Sequence, residues 1–493
     1  MNKYKLEIAV FSCGAIVMIF ELVGSRVLGP YLGTSIFVWT SLIGVILASL
    51  SLGYYIGGKM ADNKPEKKML SIIILTAGIL ILITFFIKNF ILQGLAGGDV
   101  DIKIGSIISS ITLFAPASIL LGMISPYAAR LKLKNLDSSG RTVGNLYAIS
   151  TAGSIVGTFL SGFYLIPFFG TNKLLLILAA ALVGISILIS TNDKFKIKIF
   201  LLTTIIFSYL GINQFNLFSG RQGFIDIDSL YNRIWIYDYI DPKTQKKARI
   251  MGINNENHSS MFMDSDELVN EYTKYYHLAR YFKPGFEKTL MIGGAGYSYP
   301  KNFLSTYENA SIDVVEIDPK LTELAQKYFN LKLDPKINIY HQDARVYLNK
   351  TDNKYDVIFS DAFSSRYSIP YQITTLEAVQ KKFDILENDG VVILNIISSI
   401  NGQKGKFLRA EYSTYKAVFP QVYLFPVRDP DDENMVQNII LVALKTKQVP
   451  EFKTNDDELT EYLKHRWIEY INMDMPILTD NLAPVDYYIN DII

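Results

Sequence analysis

The first 218 residues contain seven apolar stretches, each close to the length that a helix needs to cross a bilayer. These stretches are residues 6–28, 36–58, 69–93, 104–127, 144–168, 173–191 and 197–217. The mean hydropathy of the whole chain is +0.20, and only 19% of its residues are charged, which is too apolar for an ordinary soluble protein. We therefore predict a multi-pass α-helical membrane domain of about seven helices over residues 1–218.

The first stretch is predicted to be a retained helix, because it is too long for a signal peptide and contains Glu21 and Arg26. Charged side chains at membrane depth are costly and often functional. We therefore treat Glu21 and Arg26 as candidate functional residues of the membrane domain. Two other interpretations are an ion pair that orients helices and an arginine that reaches the lipid interface.

Small residues recur at four-residue intervals in GSIVGTFLSG, at Gly153, Gly157 and Ser161. This spacing is typical of closely packed membrane helices, and we prefer it to a pore lining.

Charge divides the chain into two parts and limits its partners. Residues 1–218 contain 17 Lys and Arg against 8 Asp and Glu, whereas the remainder contains 31 against 39. No basic stripe indicates nucleic-acid binding. The single cysteine, Cys13, excludes an intramolecular disulfide, and the four histidines lack ligand spacing, so we expect no metal site.

The second half alternates between strands and helices. Residues 219–285 are predicted to form a β-rich subdomain followed by a helix, since YNRIWIYDYID and KARIMGINN flank an Asp-Pro turn. From residue 286 to 493, apolar strands separated by helices predict a Rossmann-like sheet of parallel type with helices on both faces.

Ligands of such sheets bind beyond the carboxyl ends of the strands, and chemically informative residues follow four consecutive strands here. The strand ends carry Gly293, Gly294 and Gly296, then Glu316, then Asp343, and then Asp361.

These strand ends favour a nucleoside without phosphates. The dinucleotide fingerprint fails because Tyr299 stands where its third glycine belongs, and no P-loop lysine follows. Glu316 is placed to accept hydrogen bonds from ribose hydroxyls, and Asp343 lies near the expected adenine. We therefore predict S-adenosylmethionine or a relative of it as the co-substrate.

Residues 230–490 resemble the spermidine synthase branch of the class I methyltransferase fold. The motifs that carry the resemblance are IGGAG, VVEIDP, QDAR, YDVIFSDAF and SIPYQITTLEAV. The apolar first half and the ending LTDNLAPVDYY resemble membrane-anchored members of that branch.

The resemblance implies a role for each strand end. Glu316 would hold the ribose, Asp343 the adenine amine, and Asp361 the nucleophilic amine, as the catalytic residue. Tyr231 and Asn232 lie where the family places a pair that closes over the nucleoside, although ordinary strand residues would look the same.

Three departures from the family pattern concern its polyamine site. Ala295 replaces the acid that would hold the free amine of decarboxylated S-adenosylmethionine, and Ser364 replaces a second catalytic acid. The Tyr-His-Glu motif is also incomplete, because YTKYYH lacks the glutamate. Spermidine synthesis itself is therefore doubtful, and we favour the intact cofactor and methyl transfer over aminopropyl transfer.

The predicted function is a membrane-embedded transferase that moves a methyl or aminopropyl-type group to a nucleophile. Its acceptor would be a small-molecule amine or a membrane-associated molecule, its other partners membrane lipids, and a homodimer is possible. The alternative is a polyamine- or sulfonium-binding transporter or sensor with a non-catalytic transferase-like domain.

Two indications disagree about the side of the membrane on which the transferase domain lies. Lys and Arg are concentrated in alternate connections, which places the N-terminus inside the cell. Seven spans would then leave the transferase domain outside, where S-adenosylmethionine is not expected. We prefer a cytoplasmic domain, with one stretch that does not cross; the fourth, interrupted by Pro116, is the candidate.

Overall fold

The computed structural model describes residues 4–96, 100–133, 139–189, 195–215, 224–254, 256–362 and 369–490. It divides into two compact units. The first comprises Met1–Gly220 with Asp228–Leu230, and the second comprises Arg221–Ile227 with Tyr231–Ile493. The finer division predicted at residues 218 and 285 stays a prediction.

The first unit is helical. Its helices are α1 (Lys5–Leu32), α2 (Ile36–Asn63), α3 (Lys67–Ala96), α4 (Ile102–Lys132), α5 (Ser139–Leu160), α6 (Ile166–Ile189) and α7 (Phe195–Phe215), and a π-helical turn at Ser161–Leu165 joins α5 to α6. Within the described residues, five helices are long and apolar enough to cross a membrane. One of these candidates extends from Ser139 to Ile189 with a kink at Gly170, and the count of seven spans is not supported.

Glycines allow close packing between α1 and α5. A Cβ atom built on Gly157 would lie 2.7 Å from the Cα atom of Ala15, and one built on Gly153 would lie 3.0 Å from the Cα atom of Phe11. Ser161 is fully buried at the end of the same stripe. The predicted helix-packing role of these small residues is therefore confirmed.

Glu21 and Arg26 both lie on α1 and are partly buried. The Arg26 guanidinium donates to the backbone carbonyls of Ser229, at 3.1 Å, and Leu230, which belong to the same unit. The functional role of the two charged residues stays a prediction.

The second unit contains two sheets. The smaller has the strand order β1 (Ile225–Asp228), β2 (Arg233–Ile240), β3 (Lys247–Ile253) and β4 (Glu256–Phe262), with β2, β3 and β4 antiparallel. The larger is built from β5 (Lys288–Ile292), β6 (Ser311–Val315), β7 (Ile337–Tyr340), β8 (Tyr355–Ser360), β9 (Leu386–Ser398), β10 (Gln421–Pro426) and β11 (Gln437–Leu444). Its order is β10-β11-β9-β8-β5-β6-β7.

The larger sheet is parallel from β9 to β7, and β10 and β11 pair antiparallel at the other edge. Its strand order reverses between β5 and β8, where sheets of this kind open a ligand crevice. The helices of the unit are α8 (Glu271–Lys274), α9 (Ala279–Phe282), α10 (Ser298–Thr306), α11 (Pro319–Tyr328), α12 (Ala344–Lys350), α13 (Leu376–Ile385), α14 (Lys406–Val418), α15 (Asp457–Lys464) and α16 (Val485–Ile489).

Apolar side chains are buried on both faces of this sheet. Along β5, Met291 packs into one hydrophobic cluster, whereas Leu290 and Ile292 pack into a second one. Successive strand residues point to opposite faces, so a strand with two buried faces must be apolar throughout. The predicted architecture, apolar helices followed by a Rossmann-like α/β domain with a small β-rich subdomain, is confirmed.

We expect Gly157→Ala to destabilise the first unit by about 1–3 kcal/mol, because the added methyl group has no space against α1. Thermal unfolding of the full chain in detergent measures the effect. Gly144→Ala is the matched control on α5, since a Cβ atom there meets nothing within 4 Å, and it should stabilise the helix by up to about 1 kcal/mol. Equal unfolding temperatures for the two variants would contradict the close packing.

Candidate functional site

The turn after β5 brings the backbone against the end of β8. Gly293 has a φ of +96°, which favours glycine, and a Cβ atom there would lie 2.9 Å from the carbonyl carbon of Asp361. The Asp361 N–H in turn donates to the Ile292 carbonyl at 2.9 Å. Glycine at position 293 therefore lets two strand ends meet at the crevice.

Glu316, which follows β6, holds this turn in place. One of its carboxylate oxygens accepts hydrogen bonds from the N–H groups of Gly294, at 2.9 Å, and Ala295, at 3.0 Å. The other oxygen accepts from the N–H of Asp318 at 2.9 Å. Burial raises the pKa of Glu316, and the three N–H donors oppose that rise by stabilising the carboxylate. Sequence reasoning did not predict this structural role.

A cavity of about 250 Å³ opens at these strand ends, and we call it the nucleoside cavity. Six of the predicted residues line it: Tyr231, Asn232, Gly293, Glu316, Asp343 and Asp361. Gly294 and Gly296 do not line it. The N–H of Gly296 donates instead to Ser259 Oγ at 3.0 Å, so these two glycines shape the turn.

Asp343 and Asn232 reach the nucleoside cavity from different sheets: Asp343 follows β7 of the larger sheet, and Asn232 precedes β2 of the smaller one. Asp343 caps α12, with Oδ1 accepting from the Val346 N–H at 3.0 Å. Asn232 donates to Asp318 Oδ2 at 3.2 Å and accepts from the Asn254 amide at 2.8 Å. Both side chains are thus fixed by neighbours, which gives the cavity a preformed polar lining.

Two cations hold the turn that forms another wall of this cavity. Arg345 donates to the Gln372 carbonyl at 3.0 Å, and Lys382 donates to the Ile373 carbonyl at 3.2 Å. Arg345 also pairs with Asp480, at 2.6 Å, on the C-terminal segment. Gln372 and Ile373 line the cavity, so its shape depends on side chains that lie outside it.

Asp361 is oriented by two donors. Its Oδ2 accepts from the Tyr272 hydroxyl at 3.2 Å, and its Oδ1 accepts from the Asn395 amide at 3.1 Å. Asn438 donates to Asn395 at 3.0 Å and thereby fixes the amide. Burial raises the pKa of Asp361, whereas hydrogen bonds from Asn395 and Tyr272 act against the rise.

A second cavity, of about 850 Å³, adjoins the first, and we call it the acceptor cavity. Within the part of the chain that the structure describes, two residues line both cavities, Asp361 and His258. Its charged lining consists of Asp241, Lys243, Glu256, Glu271, Asp361 and Arg428. Sequence reasoning missed this cavity and His258, because the lining comes from elements far apart in the chain.

Two departures from the family pattern, at Ser364 and in YTKYYH, were predicted from the sequence, and the structure describes the second of them. Ser364 lies outside the described residues. In YTKYYH, the Tyr275 hydroxyl lies 2.9 Å from His465 Nδ1, and His277 Nδ1 lies 2.7 Å from the Tyr307 hydroxyl. The tyrosine that donates to Asp361 is Tyr272, the first residue of YTKYYH.

Within the described ranges, no group of three or more His, Cys, Asp or Glu side chains is arranged to hold a metal ion. The expectation of a metal-free site stays a prediction.

Comparison with known families agrees with this geometry. Residues 271–451 match the family described as the spermine/spermidine synthase domain. Over these residues the chain is similar to that family. The resemblance predicted from the strand-end motifs is therefore confirmed for the second unit.

Two curated relatives are polyamine aminopropyltransferases. The one from Vibrio vulnificus (strain CMCP6) is 31% identical over 170 residues, which are 34% of this chain and 54% of the relative. Polyamine aminopropyltransferase 2 from Aquifex aeolicus (strain VF5) is 23% identical over 412 residues, 79% of this chain and 78% of the relative. The chain thus spans about half the length of the first of these.

Among solved structures, a probable spermidine synthase from Corynebacterium glutamicum ATCC 13032 is 22% identical, with a TM-score of 0.40. The alignment covers 47% of this chain and 83% of the chain of that structure. A spermidine synthase in complex with the transition-state analogue AdoDATO is 17% identical, with a TM-score of 0.39, and covers 53% of this chain and 83% of its own.

We expect Glu316→Gln to destabilise the second unit by about 1–3 kcal/mol, because an amide cannot accept from N–H groups on both sides. Its NH₂ group would face either Asp318 or the glycine turn. Denaturant unfolding followed by tryptophan fluorescence measures the change. Glu323→Gln is the control, since Glu323 is exposed and pairs only with Lys320 among the described contacts. Equal stability of the two variants would show that Glu316 does not hold the turn.

Proposed function

We propose that the chain is a membrane-embedded transferase that moves an aminopropyl group from decarboxylated S-adenosylmethionine to a small-molecule amine. The observation that carries the proposal is the position of Asp361, at the junction of the nucleoside cavity and the acceptor cavity. Such a junction lets a donor and an acceptor meet at one carboxylate, which is the main requirement of a transfer between two bound molecules.

The nucleoside cavity supplies the groups that a ribose and an adenine require. Glu316 has about one lone-pair site left after accepting three N–H bonds, so it can also accept from one ribose hydroxyl. Asp343 would accept from the adenine amine. Tyr231 and Asn232 would close over the nucleoside from the smaller sheet, and the glycine turn would lie beneath it.

The acceptor cavity fits a cationic amine. Its lining contains four carboxylates against Lys243 and Arg428. Lys243 already contacts Glu271 at 3.3 Å, so the carboxylates outnumber the cations that face them. A membrane-associated acceptor remains the second possibility, and membrane lipids and a second copy of the chain are further proposed partners.

The transfer step is a displacement at carbon. The acceptor amine, after losing a proton through Asp361 to solvent, attacks the carbon next to the sulfonium sulfur, with Asp361 again a carboxylate. The new C–N bond forms as the C–S bond breaks, and the electron pair returns to sulfur as a neutral thioether. Asp361 orients the amine and balances the positive charge that it acquires.

Methyl transfer from intact S-adenosylmethionine is the second candidate. It is favoured by Ala295, which lines the nucleoside cavity without the acid that a free amine would require.

Incubation of the purified protein with either co-substrate and 1,4-diaminobutane distinguishes the two by mass spectrometry. Methylthioadenosine indicates aminopropyl transfer, and S-adenosylhomocysteine indicates methyl transfer. Binding of both co-substrates without either product would favour the sensor alternative, which no described feature supports at present.

We expect Asp361→Asn to lower kcat by about 10²–10⁴-fold, because the amide can neither take the proton nor balance the charge. The raised pKa of Asp361 also predicts that kcat/KM of the wild-type falls at a higher pH than an ordinary aspartate would cause, as the carboxylate becomes protonated. A profile between about pH 4 and pH 8 should show this acid limb in the wild-type and not in Asp361→Asn. Asp352→Asn, at an exposed position, is the control. Full turnover by Asp361→Asn would exclude the catalytic role.

We propose that the second unit faces the cytoplasm, where its co-substrate is made. The stretch from Ser139 to Ile189 could count as one span or as two, because its backbone leaves helical geometry at Gly170, with φ +70°. Separate crossings on each side of Gly170, together with α7, would restore seven spans and the opposite orientation.

Labelling decides the side of the membrane. In a Cys13→Ser background, which removes the single native cysteine, we expect a cysteine introduced at the exposed Lys453 to resist an impermeant maleimide in intact cells. Permeabilised cells, in which Lys453→Cys should label, provide the control. Labelling in intact cells would place the transferase domain outside.

A further inference from the structure

His258 lies at the same junction as Asp361. It belongs to β4 of the smaller sheet, whereas Asp361 follows β8 of the larger one. These two residues are the side chains that the nucleoside and acceptor cavities share. The imidazole and the carboxylate therefore both border the place where the two cavities meet.

The imidazole has an unused hydrogen-bonding atom. Its Nε2 is buried and meets no hydrogen-bond partner among the described residues. A buried polar atom without a partner costs about 1–3 kcal/mol, so such atoms in native proteins call for an explanation. Among the described residues the fold offers no partner for this nitrogen.

The ring is neutral at physiological pH, since burial lowers the pKa of His258 to about 4. A neutral imidazole has one nitrogen with a free lone pair, which accepts a hydrogen bond. A half-turn of the ring about the Cβ–Cγ bond exchanges Nδ1 with Cδ2 and Nε2 with Cε1. Such a rotation can turn a ring nitrogen toward the junction of the two cavities.

We propose that His258 contacts the reacting amine and, with Asp361, directs its lone pair at the co-substrate. This inference rests on the proposed transferase function. A primary amine that has lost its extra proton carries two N–H groups and one lone pair. Two acceptors, the Asp361 carboxylate and the His258 nitrogen, would engage both N–H groups. The lone pair then points toward the nucleoside cavity, as displacement at the carbon next to sulfur requires.

His258 takes no proton in this arrangement. The proton lost by the ammonium passes through Asp361 to solvent before the attack, and the imidazole accepts only a hydrogen bond. Its contribution is therefore to alignment and to acceptor binding, and the nucleoside should bind equally well without it.

Two substitutions test the contact. We expect His258→Leu to lower kcat by about 10–100-fold and to raise KM for 1,4-diaminobutane, with affinity for methylthioadenosine unchanged. His258→Gln keeps a hydrogen-bond acceptor at similar reach and should recover at least part of both losses. His277→Gln is the matched control, because burial also lowers the pKa of His277 to about 4 but His277 already bonds Tyr307 and lines neither cavity. Wild-type kinetics in His258→Leu, or a loss of methylthioadenosine affinity that accounts for the defect, would overturn the proposal.

A binding measurement separates this proposal from the transferase function. With ¹⁵N-histidine-labelled full-length protein and saturating methylthioadenosine, 1,4-diaminobutane should shift the His258 ring resonances, which are assigned by their absence in His258→Gln. This readout needs no turnover. A shift without transfer would support the contact and refute the transferase function, whereas transfer without a shift would refute the contact alone. Neither shift nor transfer would refute both.

Discussion

The carboxylate of Glu316 is the interaction on which the nucleoside cavity depends. It links the turn after β5 to the end of β6 through three backbone N–H groups, at 2.9, 3.0 and 2.9 Å. Without an acceptor there, the N–H groups of Gly294 and Ala295 would be left unsatisfied at a buried turn. The same carboxylate lines the cavity, so a single side chain both shapes the site and faces the space in which we propose that a ribose binds.

Parallel strands explain why much of this site is readable from sequence. Their carboxyl ends meet at one edge of the sheet, so Gly293, Glu316, Asp343 and Asp361 must lie together once the strands are recognised. The partners of Asp361 follow no such rule. Tyr272 precedes β5 and Asn395 lies within β9, and only tertiary packing places them beside the carboxylate. His258 reaches the site from a different sheet and carries no motif.

Hydropathy predicts the membrane helices but not their number. The apolar segments at the start of the chain have charged or polar connections, and each forms a separate helix. From Ser139 to Ile189 the chain contains Pro167 and Gly170 but few charges, and helical structure continues through a π-helical turn. Hydropathy therefore predicts two separate segments, 144–168 and 173–191, whereas the structure has one stretch of helix from Ser139 to Ile189 with a kink at Gly170. Every inference about sidedness depends on that stretch.

Ala295 bears on the choice of co-substrate in a second way. Its φ is +44°, a left-handed conformation that Asp and Asn tolerate better than alanine does. An aspartate at this position would thus relieve backbone strain and also supply a carboxylate to the nucleoside cavity. The chain has alanine instead, so this turn adds no carboxylate to a cavity that Glu316, Asp343 and Asp361 already line. The acceptor cavity is lined by four carboxylates, Asp361 included, against two cations, Lys243 and Arg428. This distribution suits a cationic acceptor in either reaction, and it leaves the group transferred to be decided by what the cavity around Ala295 admits.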